Sequence, residues 1–111
     1  MHPAAEVAAA KITGKMRVTV GIGRKGYTGE FEPYGTAYAD ADVLQQDGKW
    51  VVTCPRVVVG FTHHSPRKIT GVGVLILDHW FYDPLDNEPS RPLEQGDTIF
   101  VGFTHDLPEA I

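Results

Sequence analysis

Three histidines are of the residue type that metal binding and acid–base chemistry require. They are His63, His79 and His105, and an aspartate adjoins the last two in the sequence. Two imidazole nitrogens and a carboxylate oxygen form a ligand set that suits zinc or iron. The spacing of the three histidines matches no known ligand pattern, so they are candidates only and we predict no cofactor.

His63 and His105 each end a copy of the same short stretch, Val-Gly-Phe-Thr-His, at 59–63 and 101–105. An apolar run that meets a glycine, and soon afterwards a proline, is typical of a strand with its exit turn. If the two strands are neighbours, the two imidazoles can converge at one rim of the fold. The alternative is that each histidine is an ordinary turn residue where a strand meets water.

Other catalytic arrangements have little support in the sequence. Cys54 follows an apolar run, as a structural thiol does, and Ser65 and Ser90 are turn serines beside prolines. Residues 21–26 match the G-x-G-x-x-G pattern, but residues 27–35 are rich in glycine and proline and cannot form the helix that a dinucleotide site requires. We therefore predict a glycine-rich β-turn at 21–26 and no catalytic residue, so the sequence favours a protein that is not an enzyme.

Charge is distributed unevenly along the chain. Between Val7 and Gly29 there are bases and no acid, whereas from Asp78 onward there are eight acids against one base, Arg91. Such an asymmetry favours a protein partner or a second copy of the chain, while the acidic half argues against nucleic acid. The alternative is that each end only solvates its own face. The predicted partner-binding residues are the bases Lys11, Lys15, Arg17, Arg24 and Lys25.

The secondary-structure elements that carry these candidate residues are predicted to be strands. The 111 residues include twelve glycines and eight prolines, spread between short apolar runs. Residues 15–22 alternate between apolar and polar, and Asp47-Gly48 is a hairpin signal. The most apolar stretch, 69–82, is predicted to be the central strand. The fold class is therefore all-β, a small single-domain barrel or sandwich of six to eight short antiparallel strands.

We predict different structures for the N-terminal segment and for the rest of the chain. Residues 1–14 are rich in alanine and short of large apolar side chains, so we expect a flexible N-terminal arm that orders against a neighbour. Residues 15–111 form the single β domain. One cysteine, no long apolar run and a poor signal sequence lead us to expect a soluble protein, intracellular at synthesis, with no membrane partner.

An arm and an exposed sheet edge are both means of gaining a protein partner. We therefore expect a non-catalytic structural or assembly protein that oligomerises, or binds a larger particle, through its arm and a β edge. A small capsid-associated or tail-associated protein of a virion has this general plan. The alternative is a small β-barrel enzyme or ligand-binding protein whose pocket is lined by histidines, with or without a metal.

Overall fold

The structure is a computed structural model that describes residues 3–108. It contains one helix and six strands, and the strands form a single antiparallel sheet in the order β5-β4-β1-β2-β3-β6. The sheet curls into a half-barrel, so the predicted all-β class is confirmed. The elements are α1 (Pro3–Thr13), β1 (Lys15–Lys25), β2 (Phe31–Gln46), β3 (Lys49–Gly60), β4 (Gly71–Ile76), β5 (His79–Pro84) and β6 (Thr98–Asp106).

The concave face of the sheet carries the core. In β1 the alternation predicted from the sequence places Val18, Val20 and Ile22 inside, and the last two are fully buried. Val59 on β3 and Val74 on β4 complete the centre of the core, where neither side chain has any exposed surface. Because successive residues of a strand point to opposite faces, one run of alternating apolar residues per strand is enough to fill the interior.

The helix α1 caps one end of the half-barrel. Its alanine-rich sequence has high helix propensity, and it ends at Thr13. The next residue, Gly14, has a φ of 74°, and its N–H donates to the carbonyl oxygen of Ala10 at 2.8 Å. Val7 and Ala10 are buried in the core cluster. Contact with the sheet of its own chain therefore orders this part of the predicted arm, whereas the arm's mobility stays a prediction.

The prediction of one central strand over 69–82 is wrong. This stretch folds into the hairpin β4–β5, which turns at Leu77 and Asp78 with φ values of 48° and 70°. The strand β5 lies at an edge of the sheet, and β1 and β2 occupy its centre. The stretch shows no alternation of apolar and polar residues because apolar and aromatic side chains occupy both faces of the hairpin. Neither turn residue is a glycine, so the sequence offers no glycine signal for the turn.

An aromatic cluster covers the convex face where β1 and β4 pair. The Phe31 ring lies over Gly21 and Gly73, and its centroid is 5.0 Å from that of Trp80 and 6.1 Å from that of Tyr82. The two glycines let the ring approach the backbone closely. This outer layer explains why β4 is buried on both faces although only one face meets the core.

The dipeptide Asp47-Gly48 forms the predicted hairpin turn between β2 and β3, with φ values of 53° and 79°.

Among residues 3–108, no helix combines the length and the apolar character that a membrane span requires.

Candidate functional site: the open edge of β6

The two copies of the repeated stretch lie on neighbouring strands, β3 and β6, but their histidines do not converge. The strands are antiparallel, with Val52 opposite His105 and Gly60 opposite Thr98. At about 3.3 Å per residue, the eight residues from Val52 to Gly60 separate Gly60 from the position opposite His105 by roughly 25 Å along the sheet. His63 therefore lies at one end of β3 and His105 near the other.

His63 has the environment of a turn residue. Its Nδ1 accepts a hydrogen bond from the Ser65 N–H at 3.3 Å. Its ring packs edge-on against Tyr34 at 4.9 Å and stacks on His64 at 4.3 Å. These contacts order the loop between β3 and β4, and they require no bound ligand.

His105 lies at the seam where β5 and β6 face each other without backbone pairing. Its side chain is 13% exposed, and its Nε2 lies 2.8 Å from Asp83 Oδ2. The angles at this contact do not suit a hydrogen bond, and the buried Nε2 has no other partner in the described part of the chain. The ring packs between Phe81, at 5.4 Å, and Phe103, at 6.3 Å. His105 thus closes the seam through its side chain.

The third candidate, His79, is exposed at the start of β5, opposite Ile76. Within residues 3–108 there is no group of three or more His, Cys, Asp or Glu side chains that could hold a metal ion. The structure brings none of the three histidines together with another.

The bases predicted to bind a partner are also separated, and several of them contact acids of the same sheet. Lys15 forms a salt bridge with Asp42, which raises the pKa of Lys15 through their hydrogen bond. Arg17 lies 3.8 Å from Asp40, and its guanidinium is stacked over the exposed Tyr38. This pair of bases lies at the α1 end of β1.

The other predicted bases lie elsewhere. Arg24 donates to Glu32 at 2.9 Å, and this hydrogen bond lowers the pKa of Glu32. Lys25 lies over the Tyr82 ring on the convex face, and Lys11 of α1 lies over Trp50. Since β1 is eleven residues long, Arg24 and Lys25 are about 30 Å from Lys15, and the five bases do not form one patch.

A cavity of 480 Å³ lies beside α1, where β4 turns away from the first residues of β1. Its walls are largely apolar, and Lys15, Arg17, Glu6 and Asp78 contribute charges of both signs. Two bases and two acids line the cavity, so its lining has no net charge that would select a ligand.

The sheet has an open edge along β6. The N–H of Leu107 donates to the carbonyl oxygen of Trp50 on β3 at 2.8 Å. Backbone groups alternate in direction along an antiparallel strand, so those of residues 99, 101, 103 and 105 also point to β3. Those of Phe100, Gly102 and Thr104 point away from β3, toward the seam, where β6 has no paired strand.

This edge opens into a wide cleft. Its volume is 830 Å³, and it separates β6 from the chain that leaves β5. The His105–Asp83 contact marks the end of the seam where the cleft begins. The cleft is lined among others by Asp83, Leu85, Asp86, Phe100, Val101 and Phe103. Both charged groups in this lining are acids.

An exposed apolar patch adjoins the same edge on the convex face. Phe100 is 58% exposed and Val58 is 50% exposed. The Arg56 guanidinium lies 3.8 Å from the centroid of the Phe100 ring. Sequence reasoning identified these strands but not their edge, because which strand is left unpaired depends on the order of all six strands in the sheet.

Comparison with known families, with curated proteins and with solved structures finds no match for this chain.

Proposed function

We propose that this protein is a non-catalytic assembly module that binds a protein partner by adding a strand of that partner to the open edge of β6. The observation that carries the proposal is the set of backbone groups of Phe100, Gly102 and Thr104, which point into a cleft of 830 Å³ with no strand opposite them. An extended segment that enters an open edge gains main-chain hydrogen bonds along its length.

The alternative, an enzyme or ligand-binding protein with a histidine-lined pocket, has weaker support. His63 is held in a turn by Ser65, and His105 is enclosed by Phe81 and Phe103. Neither imidazole faces the 830 Å³ cleft, whose lining includes no histidine.

The edge of β6 also supports the proposal better than the N-terminal segment does. The helix α1 uses Val7 and Ala10 to contact its own sheet, so these two apolar side chains are not accessible to a second molecule. Attachment to a larger particle, such as the capsid or tail of a virion, would use the same open edge. An oligomer formed by this chain alone is the other form of the proposal.

The proposal is tested by a substitution that alters the open edge and removes no backbone hydrogen bond between β3 and β6. The N–H of Thr104 points away from β3, so Thr104→Pro removes a donor that only an added strand would use. We expect Thr104→Pro to weaken association at least about tenfold. Light scattering during size-exclusion chromatography measures self-association, and an array of extended decapeptides measures binding of other chains.

The matched control is Thr104→Ala. Both variants lose the hydrogen bond between the hydroxyls of Thr104 and Thr53, which are 2.6 Å apart, but only the alanine variant keeps the N–H. We expect Thr104→Ala to associate as the wild type does. A wild-type protein that is monomeric and binds no decapeptide would contradict the proposal.

A further inference from the structure

Building on the proposed function, we infer that the strand added to β6 is a basic segment of another protein, with lysine or arginine alternating with apolar residues. The inference rests on the two walls of the cleft. One wall is the apolar edge of β6, and the other wall is acidic.

The alternation of apolar and basic residues in the partner segment follows from the geometry of an added strand. Its successive side chains point to the two faces of the sheet in turn. On the concave face they would meet Val101, Phe103 and Leu85, which are buried or half-buried apolar residues that line the cleft. Every second residue of the partner segment is therefore apolar.

The basic character follows from the charges around the cleft. Asp83 and Asp86 line the wall opposite β6, and no lysine or arginine is among the residues that line the cleft. Asp86 is exposed and forms none of the salt bridges found in residues 3–108. A cation in the cleft would therefore find at least one carboxylate that has no competing partner.

The nearest base, Arg56, does not neutralise this wall. It lies on the convex face with its guanidinium on the Phe100 ring, on the β3 side of the edge. Since Arg56 is not among the residues that line the cleft, we place the basic residues of the partner toward Asp86.

A second copy of the chain fits the cleft less well than a basic segment does. Pairing β6 with β6 of another copy would bring together two clefts that are each lined by Asp83 and Asp86 and by no lysine or arginine. Like charges across an interface oppose association. Nucleic acid is disfavoured for the same reason.

The test uses three heptapeptides that share valine at positions 2, 4 and 6 and differ in the four remaining residues, which are lysine, glutamine or glutamate. Fluorescence anisotropy measures their binding to the full chain at about 10 mM salt, where the screening length is about 30 Å. We expect the lysine peptide to bind at least about tenfold more tightly than the glutamate peptide. We also expect this difference to shrink in 0.5 M salt.

Asp86→Asn tests the proposed wall, and Asp47→Asn is its matched control. Both substitutions remove one exposed carboxylate, but Asp47 lies in the turn between β2 and β3, outside the cleft, and asparagine tolerates its positive φ. We expect Asp86→Asn to weaken binding of the lysine peptide about threefold. Asp47→Asn should leave the affinity unchanged.

The possible failures of the two proposals are distinguishable. If the three peptides bind with equal affinity and Thr104→Pro abolishes all binding, strand addition stands and the basic preference is overturned. If the lysine peptide binds Thr104→Pro as tightly as the wild type, its attraction is non-specific and the inference fails. Self-association that depends on the β6 edge and resists competition by the lysine peptide would make a second copy the occupant and would also overturn it.

Discussion

Gly73 is a position where the absence of a side chain determines how the convex face is built. A Cβ atom there would lie 2.4 Å from the ring of Phe31, closer than Cβ atoms approach other atoms in proteins. The ring is itself held by Trp80 and Tyr82, so it has little freedom to move aside. The close contact between glycine and aromatic ring therefore depends on a single missing methyl group.

We predict that Gly73→Ala destabilises the fold by about 1–3 kcal/mol, the usual cost of forcing extra volume into a packed site. Gly60→Ala is the matched control, because Gly60 is also a strand glycine and the nearest atom to its added Cβ would be 4.0 Å away. Urea unfolding measures both variants. Equal midpoints for the two would show that the Phe31 ring is not packed as described.

At the scale of the elements, the residue types at each turn determined whether the strands on either side of it could be predicted from the sequence. Asp47-Gly48 carries the residue types that a two-residue hairpin turn prefers, and the turn formed where predicted. The turn at Leu77 and Asp78 needs the same left-handed backbone but offers no glycine or asparagine as a signal. The stretch 69–82 therefore resembles one long strand until tertiary packing is known.

The functional site was less predictable than the strands that build it. The sequence left open whether the two Phe-Thr-His endings lie on neighbouring strands, and β3 and β6 do pair. Whether their histidines converge depends on the relative direction of the strands, which the repeated residues do not encode. The open edge depends on the order of all six strands, which is a property of the whole sheet rather than of any segment.

The loop between β5 and β6 is anchored by Asp97. Its carboxylate accepts hydrogen bonds from the Arg91 guanidinium at 3.1 Å and from the Glu94 N–H at 2.8 Å. Both bonds favour the ionised form and lower the pKa of Asp97 below its ordinary value of 3.8. The same residue accepts the N–H of Phe61 with its main-chain oxygen, so the loop is tied to the end of β3.

We predict that part of the acid sensitivity of the fold comes from Asp97. Because its pKa is lower in the folded state, the unfolded chain binds more protons. The stability that the carboxylate contributes is therefore present above pH 3.8 and is lost as the pH falls through the lowered value. Urea midpoints at pH 6 and pH 3 measure this loss, and we expect a smaller difference for Asp97→Asn than for the wild type. Asp47→Asn, an exposed carboxylate in a turn, should keep the wild-type difference.

At the scale of the whole molecule, the half-barrel is closed by different means at its seam and at its end. The seam between β5 and β6 is closed by side chains, with His105 packed against Phe81 and facing Asp83. It opens where these contacts stop, and the cleft begins there. The end of the half-barrel is covered by α1, whose buried residues belong to the same core cluster as β1 and β3. The helix therefore belongs to the fold, and the open edge is where the sheet is incomplete.

The role of α1 leads to a prediction that separates a docked helix from a mobile arm. Val7 is 6% exposed, whereas the next residue, Ala8, faces solvent. In a docked helix, Val7→Asp buries a charge and should lower the free energy of unfolding by about 3 kcal/mol or more, while Ala8→Asp should change it by no more than about 0.5 kcal/mol. Thermal or urea unfolding of the full chain measures both variants. A mobile arm would make the two substitutions equally harmless, since neither aspartate would then leave water.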